Sequence, residues 1–273
     1  MNAEATPDFE SIKTRQQATW ATGNFAVTAI QIQFASDVLA ETVDIRAGSR
    51  VLDVACGSGN ATIAAARRGA EVSGIDYVPA LLEQARIRTA AEGLEATYIE
   101  ADAENLPFPD ASFDTVLSVF GAMFAPNQER AASELARVTT PGGNIALATW
   151  IPDGFTGEMF RLLGSYVPPP TGLRPPLEWS SEERLRELFC QTAFEFETTP
   201  QVVTFRALSA EQFVEANKTY FGPLAKAFEL LDDEKGAELH DKLVDLATKY
   251  DRLERDDAIA VPAAYVETVI TRT

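Results

Sequence analysis

The sequence has few residues of the types that build disulfide-bonded or metal-dependent proteins. Its 273 residues include two cysteines, Cys56 and Cys190, and one histidine, His240. Two cysteines are too few for a disulfide framework, and they fit a reducing compartment. With one histidine and no cysteine cluster, neither a metal site of ordinary ligands nor a Ser-His-Asp triad is easily assembled, so we expect no bound metal, although carboxylates alone could hold magnesium.

Long apolar runs and basic residues are also scarce. No apolar segment approaches the ~20 residues that span a bilayer, and no basic start followed by an apolar run marks a signal peptide. We therefore expect a cytoplasmic protein with no membrane partner. Acidic residues outnumber basic ones by 41 to 23, for a formal net charge of −18. Because this charge repels phosphate backbones, a nucleic-acid partner is not expected either.

From Arg50 onward, predicted strands and helices alternate. The segments are strands at 51–55, 71–75, 97–101, 115–120 and 145–150 and helices at 61–68, 79–92 and 128–138. Strands such as VLDVA and TVLSVF are nearly continuous apolar runs, which is typical of parallel strands covered on both faces. With two later β-prone segments, FEFETTPQVVTFRA and YVETVITR, the pattern predicts an α/β fold with a doubly wound, mostly parallel, seven-stranded sheet.

The remaining sequence predicts two additions to what we expect to be one domain. Residues 1–47 form an N-terminal helical arm before the α/β core at 48–150. Residues 151–273 add the last strands and, between two of them, a helical block that is more naturally a substrate lid than a separate domain. Capping boxes beginning at Ser180 and Ser209 predict helix starts in this region.

A glycine-rich turn follows the first predicted strand. Gly57 and Gly59 lie between a strand and a helix, which is the context of a nucleotide-binding turn. A dinucleotide site is the competing interpretation, because Asp76 follows Gly57 by 19 residues. However, Thr62 replaces the third glycine of that fingerprint, and Asp53 would repel a pyrophosphate by ~1 kcal/mol or more per charge pair. The ligand is therefore not expected to be a phosphate anion.

Three acids mark the carboxyl ends of successive predicted strands, where open α/β sheets bind ligands. Asp53 lies in the first strand, Asp76 follows the second and Asp102 follows the third. This row suits a ligand with a cation, a ribose diol and an adenine amine, because each of these groups can make a charge-assisted contact with a carboxylate. S-adenosylmethionine carries all three groups, so the sequence predicts it as the cofactor.

Four segments resemble a known family, in the order that the family has them. They are VLDVACGSGNAT, GIDYVPALLEQAR, ADAENLPFPDASFDTVLSVFGAMFAP and ELARVTTPGGNIALATW. Over residues 48–150 the sequence resembles the class I S-adenosylmethionine-dependent methyltransferases. It looks most like their small-molecule group, which includes the ubiquinone and menaquinone C-methyltransferases.

The resemblance implies a set of cofactor contacts. They are Asp53, Ala55 and Gly57 at the methionine moiety, Asp76 at the ribose, Tyr77 on the adenine, Asp102 and the Ala103 backbone at its amine, Phe120 closing the pocket, and Trp20 over the cofactor. Ala55 replaces a glycine that is more usual there, and its methyl group should narrow the turn without abolishing it if the residue keeps a negative φ. For Tyr77, Phe120 and Trp20, core packing is an equally ordinary interpretation.

Methyl transfer from a sulfonium requires little of the protein's side chains. The methyl group is already electrophilic, so the nucleophile must be aligned and water excluded, and a base is needed only for a protonated nucleophile. His240 lies in the acidic stretch AELHDKL and is expected at the surface. Phe213, Asn217, Tyr220 and Phe221 form a helical stripe that is typical of core. The sharper hypothesis is that this stripe walls the acceptor pocket and that Tyr220 is catalytic, orienting or deprotonating the acceptor.

The apolar residues near the strand ends indicate the character of the acceptor. Phe120, Met123, Phe124 and Trp150 would form walls for a partly hydrophobic small molecule. The sequence therefore predicts transfer of a methyl group from S-adenosylmethionine to an oxygen, nitrogen or carbon of such an acceptor. An S-adenosylmethionine-binding protein without transferase activity is the alternative, and a dehydrogenase, disfavoured by Asp53, is more distant. The sequence indicates no oligomeric state.

Overall fold

A seven-stranded sheet organises the part of the chain that the structure describes. This computed structural model describes residues 7–190, 194–253, 255 and 257–273, so the first six residues of the predicted arm lie outside it. The strands in chain order are β1 (Arg50–Val54), β2 (Glu71–Asp76), β3 (Thr97–Glu100), β4 (Phe113–Val119), β5 (Thr139–Trp150), β6 (Phe194–Ala207) and β7 (Ile259–Arg272).

The strand order is β3-β2-β1-β4-β5-β7-β6. The pairs among β1 to β5 are parallel, and β7 runs antiparallel to both of its neighbours. The predicted doubly wound, mostly parallel sheet of seven strands is confirmed. Val51, Leu52 and Val54 of β1 are fully buried, as the continuous apolar run indicated.

The helices that flank the sheet and cover its strand ends are as follows. They are α1 (Phe9–Trp20), α2 (Phe25–Gln31), α3 (Gln33–Thr42), α4 (Asn60–Ala66), α5 (Pro79–Ala91), α6 (Gln128–Val138), α7 (Phe155–Tyr166), α8 (Glu182–Leu188), α9 (Ala210–Tyr220), α10 (Gly222–Leu230) and α11 (Asp233–Tyr250). Helices α1 to α3 are called the arm below, and α9 to α11 the lid. None of the helices in the described ranges is long and apolar enough to cross a bilayer.

Two local predictions differ from the structure. Ser181, not Ser180, caps α8, because its side chain accepts a hydrogen bond from Arg184 N, while the Ser180 hydroxyl donates to Leu177 O in a preceding 3-10 turn. The segment Pro141-Gly142-Gly143, whose residue types predict a turn, lies inside β5, where the pairing with β4 shifts register. The cap at Ser209 is confirmed, since its hydroxyl accepts from Gln212 N at 3.1 Å.

The arm and the lid meet backbone to backbone. A Cβ atom on Gly222 would lie 2.3 Å from Thr19 O, and one on Gly23 would lie 2.8 Å from Tyr220 O. The backbone of Asn24 also donates a hydrogen bond to Tyr220 O at 3.2 Å. Glycine is therefore required on each side of this contact, because any larger residue would separate the two segments.

Candidate functional site

A cleft of about 960 Å³ lies at the carboxyl ends of β1, β2 and β4, and we call it the strand-end cleft. All the residues to which the resemblance assigns a cofactor contact line it. They are Trp20, Asp53, Ala55, Gly57, Asp76, Tyr77, Asp102, Ala103 and Phe120. The fold thus brings together residues that are up to 100 positions apart in the sequence. The hydrogen bonds and the burial of each side chain determine what the cleft can bind.

Two left-handed turns form the floor of this cleft. Ala55, just after β1, and Phe120, just after β4, both have φ of 55°. The condition of a negative φ at Ala55 is therefore not met. The chain must reverse there so that Cys56 N can donate to Ile75 O at 2.8 Å. Such a conformation costs a non-glycine residue about 1 kcal/mol and is concentrated at functional sites.

Asp76 connects the glycine-rich turn to the end of β2. Its side chain is buried and accepts hydrogen bonds from Gly57 N and Val78 N, both at 2.9 Å. Burial raises the pKa of Asp76 to about 6, against the lowering effect of these hydrogen bonds. Each carboxylate oxygen accepts one of the two bonds and keeps a second lone pair for a ligand hydroxyl.

Asp53 is held by the first turn of α4. Its Oδ2 accepts from Thr62 N and from the Thr62 hydroxyl, both at 2.7 Å. Burial raises the pKa of Asp53 to about 7, with the negative charge of Asp76 adding to the effect. Thr62, noted in the sequence only as a missing glycine, is therefore the hydrogen-bonding partner of a buried acid.

Asp102 is paired with a lysine that the sequence analysis did not identify. Lys13 of α1 lies 2.8 Å from Asp102 Oδ2 and 3.2 Å from Glu104. Burial by itself would lower the pKa of Lys13, but its bonds to Asp102 and Glu10 outweigh burial and raise the pKa above its ordinary range. The positive end of this pair also lines the cleft.

One face of α1 covers the strand-end cleft. Gln17 Nε2 donates to Tyr77 O, and Gln16 Nε2 donates to Phe124 O at 3.3 Å. Gln16 Oε1 is buried without a hydrogen-bond partner among the described residues. Positions 13, 16, 17 and 20 recur at helical spacing, so this face was a detectable signal in the sequence.

A second cavity, of about 540 Å³, adjoins the cleft, and we call it the aromatic chamber. The two cavities share the side chains of Trp20, Phe25, Ile32, Phe120 and Phe124. Eight phenylalanines and two tryptophans line the chamber. At its base the rings of Phe120 and Trp150 stack with centroids 3.8 Å apart.

Two of the residues that were predicted to wall the acceptor pocket, Tyr220 and Met123, do not line the chamber. Phe213, Asn217 and Phe221 line the chamber, whereas Tyr220 lines neither cavity and is 36% exposed. The role of Tyr220 in acting on the acceptor stays a prediction, and the neighbouring Phe221 takes the position in the chamber wall. Met123 is also absent from the walls, since its side chain is buried in the main core.

His240, the single histidine of the sequence, is too far from both cavities to act as a general base. His240 lines neither cavity and lies 3.2 Å from Glu215, on the lid. It is not in a position to act on a ligand in either cavity. The chemistry of the site must therefore rest on the residues of the cleft and the chamber themselves.

Comparison with known proteins places this geometry in context. Residues 52–147 match the family described as Methyltransferase domain. Rv1403c, an uncharacterized protein of Mycobacterium tuberculosis, is 37% identical over 250 residues, which cover 90% of this chain and 91% of that protein. Demethylmenaquinone methyltransferase of Thermus thermophilus is 40% identical over 128 residues, which are 45% of this chain and 58% of that protein. The crystal structure of the YcgJ protein from Bacillus subtilis has the same fold, with a TM-score of 0.59 at 20% identity over 88% of this chain and 99% of that one.

Proposed function

The chain belongs to the class I S-adenosylmethionine-dependent methyltransferases, and from that membership we propose that it transfers a methyl group from S-adenosylmethionine to a small, partly hydrophobic acceptor. The observation that carries this proposal is the junction of an acid-lined cleft with an aromatic chamber through shared walls. A cationic donor fits the first cavity and an apolar acceptor fits the second. The nucleophilic atom of the acceptor is an oxygen, a nitrogen or a carbon.

The residues of the strand-end cleft fit the donor. The ribose hydroxyls would donate to Asp76, whose oxygens keep free lone pairs, and the ammonium would lie near Asp53, Ala55 and Gly57. A Cβ on Gly57 would reach within 3.3 Å of the Phe25 ring, so glycine keeps the turn open to a closely packed ligand.

The adenine end of the donor would lie beneath the arm. Tyr77 would pack on the adenine ring. Asp102 and the Ala103 backbone would accept hydrogen bonds from the adenine amino group. Asp102 Oδ1 already accepts from Glu104 N at 2.9 Å, and Oδ2 accepts from Lys13 at 2.8 Å, so the adenine amine would use a remaining lone pair.

The protein's own contribution to the reaction is alignment and exclusion of water. When bound, the cofactor supplies an activated methyl group on a positively charged sulfur. Trp20 and Phe120, on walls common to both cavities, would hold donor and acceptor against each other. With both ligands in place, the aromatic rings around them would exclude water.

The affinity for S-adenosylmethionine is expected to fall in acid. Asp53 and Asp76 have pKa values of about 7 and about 6, and a cationic ligand binds their ionised forms, so binding at lower pH requires proton release. Between pH 8 and pH 5.5 we expect a loss of about tenfold or more. Calorimetry in buffers of different ionisation enthalpy measures both the affinity and the protons released. An affinity that stays constant over this range would contradict the proposed electrostatics.

Protonation of Asp53 and Asp76 would not weaken S-adenosylmethionine binding by unfolding the protein. Their pKa values are raised in the folded state, so the folded protein binds more protons than the unfolded chain in this range. Asp53 and Asp76 therefore make the unliganded protein more stable as the pH falls from 8 toward the ordinary pKa range of an aspartate. Weaker binding together with unchanged or higher stability is the expected combination.

Turnover is tested with a panel of acceptors. The protein is incubated with S-adenosylmethionine and with phenols, quinols or amines, and S-adenosylhomocysteine and methylated products are measured by mass spectrometry. The name of the Thermus relative, demethylmenaquinone methyltransferase, places a quinol first in the panel. We expect acceptor-dependent formation of both products. Binding of S-adenosylmethionine without any product across the panel would favour the alternative, a binding protein without transferase activity.

A further inference from the structure

The walls of the aromatic chamber carry no ionisable side chain among the described residues. Fifteen residues line it, of which ten are aromatic and two, Ile32 and Met159, are aliphatic. The other three are the polar but uncharged Thr28, Thr156 and Asn217. A charged acceptor would therefore lose its hydration without gaining a counter-charge, which is strongly unfavourable in an apolar site.

One polar group in this wall lacks a partner. The side chain of Thr156, in the first turn of α7, is 4% exposed, and its Oγ1 has no hydrogen-bond partner among the described residues. An unpaired buried hydroxyl is destabilising unless something pairs with it. Asn217, across the chamber wall, donates from Nδ2 to Phe213 O at 2.9 Å, and its amide is the other group available for a ligand.

Building on the proposed methyl transfer, we propose that the chamber binds a neutral, flat aromatic acceptor with one polar hydroxyl or N–H group, and that Thr156 is the specificity residue that hydrogen-bonds to this group. The flat shape follows from the stacked and edge-on rings of the walls, which offer aromatic contacts to a planar molecule. Neutrality follows from the uncharged lining, and the single polar group from the unpaired hydroxyl of Thr156.

A series of naphthalene derivatives tests this proposal by binding alone. The probes are 2-naphthol, which is neutral with one hydroxyl, 2-methylnaphthalene, 2-naphthoate and 2-naphthylmethylammonium. Each is titrated by calorimetry into protein saturated with S-adenosylhomocysteine. We expect 2-naphthol to bind about tenfold or more tightly than either ion, because only the ions must be desolvated without a partner. Equal or tighter binding of either ion would overturn the neutral class.

Replacing Thr156 with valine separates recognition from folding. Thr156→Val keeps the shape of the side chain and removes the hydroxyl, so binding of 2-naphthol should weaken about five- to tenfold while that of 2-methylnaphthalene is unchanged. Thr248→Val, on the outer side of α11, is the matched control and should change neither. If Thr156→Val leaves 2-naphthol binding unchanged, or weakens both probes equally, the specificity role is wrong. Failure to bind S-adenosylhomocysteine would instead count against the proposed function.

Discussion

Asp76→Asn is expected to weaken the binding of S-adenosylmethionine by about 100-fold or more. The variant keeps the size of the side chain and loses the negative charge that would accept the two ribose hydroxyls. Hydrogen bonds to a charged group contribute about 1.5–3 kcal/mol each, and a loss of about 3 kcal/mol corresponds to a change of about 100-fold in affinity. Calorimetric titration of the purified variant measures the effect directly.

The controls for this variant use other ligands and another acid of the sheet. Adenosine carries the same ribose, so its affinity should fall together with that of S-adenosylmethionine. Asp114→Asn removes an aspartate at the opposite end of β4, where Asp114 pairs with Arg50 at 2.6 Å, and should leave both affinities unchanged. If Asp76→Asn binds S-adenosylmethionine within about threefold of the original protein, the ribose assignment fails, since one charge-assisted bond alone exceeds that effect.

Gly157→Ala is expected to lower the free energy of unfolding by about 3 kcal/mol. A Cβ at Gly157 would lie 2.0 Å from Pro152 O and 2.7 Å from Ile151 O, and both are backbone atoms. The start of α7 would have to move away from the segment before it. Because Phe155 and Thr156 line the aromatic chamber beside this glycine, acceptor turnover should fall as well. Urea unfolding followed by circular dichroism measures the loss of stability.

The same substitution seven residues later in α7 should have the opposite sign. A Cβ at Gly164 would meet only Pro169 Cδ, at an ordinary contact distance of 3.9 Å. Gly164→Ala should therefore raise the free energy of unfolding by about 0.5–1 kcal/mol, because alanine loses less conformational freedom in a helix. If both variants were destabilised by similar amounts, the close approach at Gly157 would not be what distinguishes the two positions, since helix propensity alone would stabilise both.

The row of acids at the strand ends was predictable because it depends on topology. Once β1, β2 and β3 are recognised as parallel strands, their carboxyl ends must meet at one edge, and Asp53, Asp76 and Asp102 follow from that. The backbone of Ala55 was not predictable in the same way. Its positive φ results from the meeting of β1 with β2 and from the close approach of Gly121, whose Cβ would lie 2.6 Å from Ala55 O.

The errors in the lid and the arm have a different cause. The helical spacing of Phe213, Asn217, Tyr220 and Phe221 assumes one continuous helix, but α9 ends at Tyr220 and Phe221 has an extended backbone with φ of −88° and ψ of 105°. Lys13 was missed because its partner, Asp102, is 89 residues away, and the pairing exists only once the arm folds back over the sheet. Local sequence indicates the face of α1 on which Lys13 lies, but it carries no signal for the residue that this face contacts.

The contact between the arm and the lid, in which Gly23 and Gly222 allow the two backbones to touch, bears on how ligands enter and leave. The arm covers the strand-end cleft, and the lid supplies Phe213, Asn217 and Phe221 to the aromatic chamber. A movement that uncovers one cavity must either carry the cover of the other with it or break this junction. We therefore expect cofactor exchange and product release to be linked, so that a molecule held in the chamber slows the exchange of the cofactor beside it.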